Sequence, residues 1–318
     1  MIYVADNVII LPQITERNEH MNYKNVSEIA ALWGVSQRSV RSYCASGKVA
    51  GAVLDGKTWK IPENATKPER KQRAGKVTTD LLSRLKLEKE SRITSGIYHK
   101  VQIELTYNSN HIEGSRLTHD QTRHIFETNT IGQEGKTLNV DDIIETANHF
   151  RCIDLVIDLA NYQISESFIK QLHFVLKTGT SDSRKPWFAV GDYKRLENEV
   201  GGRETTGAKN VAREMKDLLK KYNSSGAKLL AEIIEFHYEF ESIHPFQDGN
   251  GRIGRLIMFK ECLRNGITPF IIEDDIKEFY YRGLKEWKND PCYLIDTCLS
   301  SQDRFKVYMK YFGLKFED

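Results

Sequence analysis

Apolar residues recur every three to four positions along most of the chain beyond residue 76, a spacing that predicts a largely helical protein. The segments with this spacing are 77–110, 117–130, 139–161, 165–177, 209–222, 226–243, 250–264, 275–287 and 292–312. The exception is 186–203, where aromatic and β-branched residues beside several glycines predict a short hairpin. We therefore expect an all-α bundle that carries one small β-hairpin.

The first part of the chain has a different pattern, with two short helices followed by a hairpin. We expect Ser27 to cap the first helix and Ser36 to cap the second, with Gly34 supplying the turn between them. Asp55-Gly56 between two apolar runs predicts a two-residue hairpin turn. Helix, turn, helix and hairpin in this order predict a winged helix-turn-helix.

Residues 22–66 resemble the winged helix-turn-helix domains of the excisionase/MerR type. The resemblance implies DNA binding by the exposed face of the second helix, whose candidate contact residues are Gln37, Arg38, Ser39 and Arg41. Charge favours this interpretation, because residues 1–76 hold 12 Lys+Arg against 7 Asp+Glu, a net charge of +5, and the remainder carries −3. A module that binds only protein is the alternative.

Composition excludes several classes of protein. With 40% hydrophobic and 28% charged residues, the chain can form a core and is not disordered. No apolar run approaches the roughly eighteen residues of a membrane helix, and no basic segment precedes the apolar start as in a signal peptide. Five scattered cysteines without a C-x-x-C pair argue against disulfide frameworks and zinc sites. We expect a cytoplasmic protein with no membrane partner.

The strongest chemical signal is the string HPFQDGNGRIGR at residues 244–255. A Gly-Asn-Gly turn that opens a helix exposes N–H groups at the positive end of the helix dipole, which favours phosphate binding. Arg252 and Arg255 add charge-assisted donors. Asp248 offers an oxygen ligand for Mg²⁺, and His244 is able to accept a proton near neutral pH. Together these features predict phosphoryl or nucleotidyl transfer.

This string resembles the Fic family motif HPFx[DE]GNGRxxR at every specified position. The resemblance implies an all-α core and the transfer of AMP from ATP–Mg²⁺ to a Ser, Thr or Tyr hydroxyl of a target protein. It implies that His244 is the general base, that Phe246 anchors the loop and that Asp248 holds Mg²⁺. The nucleotide-binding residues it implies are Gly249, Asn250, Gly251, Arg252 and Arg255. Doc-type relatives, which phosphorylate, carry Lys where this chain has Gly251, so the resemblance favours adenylylation.

A second motif lies upstream, in the segment SNHIEG at residues 109–114. It resembles the Fic inhibitory helix [ST]-x-x-x-E-[GN], which we expect near residues 105–114. The resemblance implies that Ser109 and Glu113 are inhibitory, and that Glu113 pairs with Arg255 and keeps ATP from binding productively, within one chain or across a homodimer. The alternative is a plain helix end that Gly114 caps.

Residues 185–202 resemble the family's flap, which implies target docking by Val190, Gly191 and Tyr193. Glu199-Val200 departs from the V-x-I strand usual there. We place the domains at 1–66 (winged helix-turn-helix), 67–100 (linker and helix), 101–290 (Fic core) and 291–318 (helical extension).

Three functions remain open from the sequence. The first is an adenylyltransferase that Glu113 inhibits and that also modifies itself. The second is a DNA-binding transcription regulator that senses nucleotide with little catalysis. The third is removal of AMP from a modified protein, with Glu113 orienting the attacking water.

Overall fold

Two structural units make up the chain, residues 1–76 and residues 77–318. The computed structural model describes residues 22–56, 58–68, 80–131 and 137–316. The apolar start of the chain and residues 69–79 of the expected linker and helix at 67–100 lie outside the described residues.

The N-terminal unit contains two helices and a three-stranded antiparallel sheet of order β1-β3-β2. Its elements are β1 (Tyr23–Lys24), α1 (Val26–Trp33), α2 (Gln37–Ala45), β2 (Val53–Asp55) and β3 (Thr58–Pro62). Ile29, Val40 and Ile61 are fully buried in its core. Ser36 caps α2 as predicted, but the prediction for Ser27 is wrong: Asn25 caps α1, in a reciprocal capping box with Glu28.

The C-terminal unit is helical, which confirms the predicted fold class. Its helices are α3 (Leu81–Glu90), α4 (Ile97–Ile112), α5 (His119–Thr128), α6 (Val140–Asp158), α7 (Glu166–Lys177), α8 (Val211–Asn223), α9 (Leu230–Ile243), α10 (Asn250–Arg264), α11 (Lys277–Glu286) and α12 (Cys292–Tyr311). The strands β4 (Glu199–Val200) and β5 (Arg203–Glu204) form a hairpin between α7 and α8. None of the helices in the described ranges is long and apolar enough to cross a membrane.

The segment 77–110, whose spacing predicts helix, contains two helices, because a turn separates α3 from α4. The buried Glu88 carboxylate reaches across this turn and accepts a hydrogen bond from the Tyr98 N–H at 2.9 Å. A Cβ at Gly96 would lie 2.0 Å from Glu88 Oε2, so glycine is required there. The hairpin predicted over 186–203 is shorter than expected, because its strands begin only at Glu199.

Helix α10 lies at the centre of the C-terminal unit, and every residue from Arg252 to Leu263 is buried. Helices α4, α6, α7 and α9 pack around it. A helix buried on all sides occupies a core rather than a surface. Its N-terminus therefore meets the C-terminal ends of α4, α7 and α9, and this junction holds the residues of the 244–255 string.

Candidate active site

The loop between α9 and α10 is held rigidly by two side chains. Phe246 is fully buried and stacks on His173, with ring centroids 4.0 Å apart and planes 3° from parallel. Asn250 accepts a hydrogen bond from the Phe246 N–H and donates one to the Phe246 carbonyl, both at 2.8 Å. The side-chain amide of Asn250 thus fastens the loop to the start of α10.

Gly249 is the N-cap of α10 and adopts a left-handed conformation with φ of 85°. A side chain there would be strained, and its Cβ would lie 3.3 Å from Leu176 Cδ2. The turn leaves the first N–H groups of α10 without intrahelical partners. The local sequence therefore builds a helix start with free N–H groups, a geometry that favours anion binding.

His244 ends α9 in a left-handed conformation, with φ of 50°. Burial, followed by the nearby positive charge of Lys194, lowers the pKa of His244 to about 4. Its Nδ1 lies 3.9 Å from Glu241 Oε2, beyond hydrogen-bonding distance. The imidazole is therefore neutral at pH 7 and able to accept a proton.

A cavity of about 440 Å³ opens beside His244. Gly251, Glu113 and Arg255 line it towards α10, and aromatic and aliphatic side chains together with three polar ones line the remainder. The other lining residues are Val200, Gly201, Tyr238, Glu241, Ser242, Tyr280, Tyr281, Leu284 and Lys285. Its size and its apolar walls with a few convergent polar groups are typical of small-ligand sites.

The Arg255 guanidinium is buried and bound to α4 by three hydrogen bonds. Nη2 lies 2.7 Å from Glu113 Oε1 and 2.9 Å from the Ser109 carbonyl, and Nε donates to Ser109 Oγ at 3.0 Å. A Cβ at Gly251 would lie 2.3 Å from the Glu113 carboxylate. The absence of a side chain at Gly251 is therefore what lets Glu113 reach Arg255.

Arg252 is placed differently from Arg255, because its guanidinium is turned towards α6. It bonds to Glu145, and Nη2 donates to Asp248 Oδ2 at 3.0 Å. Lys177 also bonds to Glu145 and donates to the same Asp248 Oδ2 at 2.7 Å. Burial raises the pKa of Asp248, but Arg252 and Lys177 lower it more, and the net pKa is well below its usual range.

The sequence did not point to Glu145, Lys177, His173 or Lys194. The one signal that could have indicated them is a charged or polar residue among the apolar positions of a helix, as for Glu145 on α6 and Lys177 on α7. That signal alone does not identify a partner.

Two of the predicted docking residues of the flap, Gly191 and Tyr193, lie close to residues that hold the loop between α9 and α10. The Gly191 N–H donates to His173 Nδ1 at 2.9 Å. Tyr193 is buried, and its ring centroid lies 5.9 Å from that of Phe246. Val190 is half-buried. The exposed apolar side chains in this segment are Trp187 and Leu196, which sequence reasoning missed.

In the N-terminal unit, the structure places Gln37, Arg38 and Arg41 on the exposed face of α2, with Ser39 half-buried beside them. Val40 on the opposite face is fully buried. Gln37 Nε2 donates to Ser27 Oγ at 3.3 Å, which joins the starts of the two helices.

Part of the chain matches a known protein family. Residues 163–262 match the Fic/DOC family. The protein adenylyltransferase Fic of Drosophila persimilis is 30% identical over 211 residues, and that of Drosophila grimshawi is 32% identical over 187 residues. The matches cover 64% and 56% of this chain, but only 38% and 36% of the relatives' own lengths.

Two solved structures share the fold. A Fic domain-containing signalling protein from Bacteroides thetaiotaomicron matches with a TM-score of 0.61 and 23% identity, covering 74% of this chain and 98% of that one. Fic-1 from C. elegans matches with a TM-score of 0.56 and 20% identity, covering 73% and 72%. Within this chain, residues 163–262 carry the match to the Fic/DOC family.

Proposed function

We propose that this protein is an adenylyltransferase, which transfers AMP from ATP to a hydroxyl group of a target protein. Glu113 inhibits this transfer. The observation that carries the proposal is the convergence of a neutral His244, the N-terminus of α10 and the Glu113–Arg255 pair on one cavity. The relatives named adenylyltransferases support the same reaction.

His244 acts as the general base. It removes the proton of the target hydroxyl while the hydroxyl oxygen bonds to the α-phosphorus, and the bond from that phosphorus to the bridging oxygen of pyrophosphate breaks. A neutral imidazole suits this role, and its low pKa means that it stays unprotonated through neutral pH. The proton remains on His244 until solvent accepts it.

The triphosphate is held by the N–H groups at the start of α10 and by Arg255. Arg255 faces the cavity, and the first turn of α10 carries the positive end of the helix dipole. These donors stabilise negative charge as it develops on the leaving pyrophosphate. Tyr281 and Leu284 line the wall that would receive the base of the nucleotide.

The residues present fit a Mg²⁺ ion at Asp248. Mg²⁺ in phosphate chemistry needs only one or two carboxylates, because water and phosphate oxygens complete its shell. Asp248 is ionised, its side chain is 47% exposed and both of its side-chain bonds go to Oδ2. When bound, the ion would neutralise phosphate charge.

The proposed reaction is tested with ATP labelled at the α-phosphate or, separately, at the γ-phosphate. Wild type, Glu113→Gly and Glu113→Gly/His244→Ala are incubated with a cell lysate and Mg²⁺. We expect protein to carry the α-phosphate label with Glu113→Gly, to carry much less of it with wild type and to carry none with the double variant Glu113→Gly/His244→Ala. Label from the γ-phosphate alone would indicate phosphorylation, and no label from either nucleotide would reject the proposal.

For the N-terminal unit we propose DNA binding through α2. The supporting observation is the exposed polar face that carries Gln37, Arg38 and Arg41 in a unit of net positive sequence charge. Contacts to phosphates make such binding weaken steeply with salt. The test measures duplex DNA binding by fluorescence anisotropy for wild type, for Arg38→Ala/Arg41→Ala and, as control, for Lys48→Ala outside α2. Equal DNA affinity of all three proteins would reject a role for α2.

A further inference from the structure

Four charged side chains form a closed ring beneath the active-site loop. Lys177 at the end of α7 and Arg252 on α10 are the cations, and Glu145 on α6 and Asp248 in the loop are the carboxylates. Each cation contacts both carboxylates. Asp182 adds a third carboxylate, with Oδ2 at 3.2 Å from the Lys177 Nζ.

Lys177 is the most enclosed member of this ring, with its side chain only 2% exposed. Its ammonium group is surrounded by the three carboxylates and lies 5.5 Å from the centroid of the Phe188 ring. Lys177 is not among the residues that line the cavity beside His244, and its ammonium group is bonded to carboxylates instead. A buried ammonium is tolerated there because those partners compensate for its lost hydration.

The position of Lys177 bears directly on Asp248. Its ammonium lies 2.7 Å from Oδ2 of that carboxylate, at the distance of a strong charge-assisted hydrogen bond. A divalent cation approaching the same carboxylate meets the repulsion of Lys177 and of Arg252. The chain thus supplies its own positive charge at the group that would hold Mg²⁺.

We infer that Lys177 is a positioning residue that makes metal binding at Asp248 conditional on nucleotide. Without nucleotide, the internal ammonium satisfies Asp248 and keeps divalent cations away. With nucleotide, the phosphate oxygens supply further ligands and negative charge, so the cation binds together with its phosphates. This inference rests on the proposed use of Mg²⁺ and ATP, but concerns a binding step that is measurable without any transfer of AMP.

The test measures Mn²⁺ affinity by electron paramagnetic resonance in the absence of nucleotide. We expect Lys177→Met to bind Mn²⁺ about tenfold or more tightly than wild type, because a unit positive charge has left a poorly screened site next to a carboxylate. Lys170→Met is the matched control, since Lys170 lies on the same helix and pairs with Glu166 and Asp192 at the surface. It should bind as wild type does.

Two further variants locate the effect and protect the test from misfolding. Lys177→Met/Asp248→Asn should lose the gained affinity if the new site is at Asp248. Lys177→Gln removes the charge while still donating hydrogen bonds to the carboxylates, so it replaces Lys177→Met if that variant does not fold. Added Mn²⁺ should raise the melting temperature of the neutral variant more than that of wild type, because a ligand that binds the folded state stabilises it.

Equal Mn²⁺ affinity of wild type and a folded neutral variant without nucleotide would overturn the inference. Gained affinity that survives Asp248→Asn would overturn it as well, because the cation would then be bound elsewhere. Neither result bears on AMP transfer, which the labelled-ATP experiment tests by itself.

Discussion

The Glu113 carboxylate and the Arg255 guanidinium lie 2.7 Å apart, although 142 positions separate them in the chain. Ser109 adds two further bonds to the same guanidinium, so α4 holds Arg255 from one side. An Arg that is bonded in this way does not have those donors available for a phosphate. The pair therefore gives the proposed inhibition a physical basis in competition for one cation.

Replacing Glu113 should activate the protein. Glu113→Gly should raise AMP transfer by about tenfold or more, since hydrogen bonds to charged groups are worth roughly 1.5–3 kcal/mol. The rate of AMP transfer by Glu113→Gln, which keeps the size of the side chain but loses its charge, should lie between the rates of Glu113→Gly and wild type. Initial rates with labelled ATP measure this, and Glu278→Gln on the exposed face of α11 is the charge control. Rates equal to wild type in both Glu113 variants would rule out inhibition by this pair.

A methyl group at Gly251 should loosen the same pair. The added Cβ would lie 2.3 Å from Glu113 Oε1 and 2.9 Å from Arg255 Nη1, so the carboxylate has to move. We expect Gly251→Ala to raise AMP transfer in the otherwise wild-type chain, but not in Glu113→Gly. Rates of the two single variants and the double variant form a cycle that isolates this contact. An equal change in both backgrounds would contradict the prediction.

The pH dependence of transfer should show an unusually acidic base. Burial first and Lys194 second lower the pKa of His244 to about 4, whereas Glu113 and Asp248 raise it. In Glu113→Gly, kcat/KM should therefore stay level through neutral pH and fall only towards pH 4 or below. A fall centred near the ordinary histidine pKa of about 6.5 would contradict the buried, neutral base.

Lys194 provides a second check on that base. Its backbone N–H donates to the Pro245 carbonyl at 2.9 Å, which places it beside the loop, and burial lowers its own pKa to about 8. Lys194→Met removes a positive charge near His244, so the acid limb of the kcat/KM profile should move to higher pH. Lys194→Arg keeps the charge and should leave the limb in place.

Asn250 should stabilise the folded protein as well as the site. Asn250→Ala leaves the buried Phe246 N–H without its partner and removes one bond to the Phe246 carbonyl, which should lower the free energy of unfolding by about 2 kcal/mol. Urea denaturation measures the loss. Asn289→Ala removes a solvent-exposed hydrogen bond to Glu286 and should change stability by less than about 0.5 kcal/mol.

The extent to which sequence predicts this protein differs between its parts. The all-α class follows from apolar spacing, and the bounds of most helices follow within a few residues. The turn between α3 and α4 does not, because Glu88 closes it through a contact with Tyr98 that no local pattern reveals. Ser27 is not the cap, because α1 begins before it: Asn25 is the N-cap, and its side chain accepts from the N–H groups of Ser27 and Glu28.

The sequence by itself determined the loop at 244–249 and the start of α10, because these are contiguous residues whose glycines and capping geometry act locally. It also pointed to Glu113 and Arg255, but only tertiary structure brings them to bonding distance through Gly251. The ring of Glu145, Lys177, Asp248 and Arg252 was decided by the packing of α6, α7 and α10. The low pKa of His244 was decided by its burial and by the charge of Lys194. Burial and distant charge set both features, and neither quantity exists until the helices have packed.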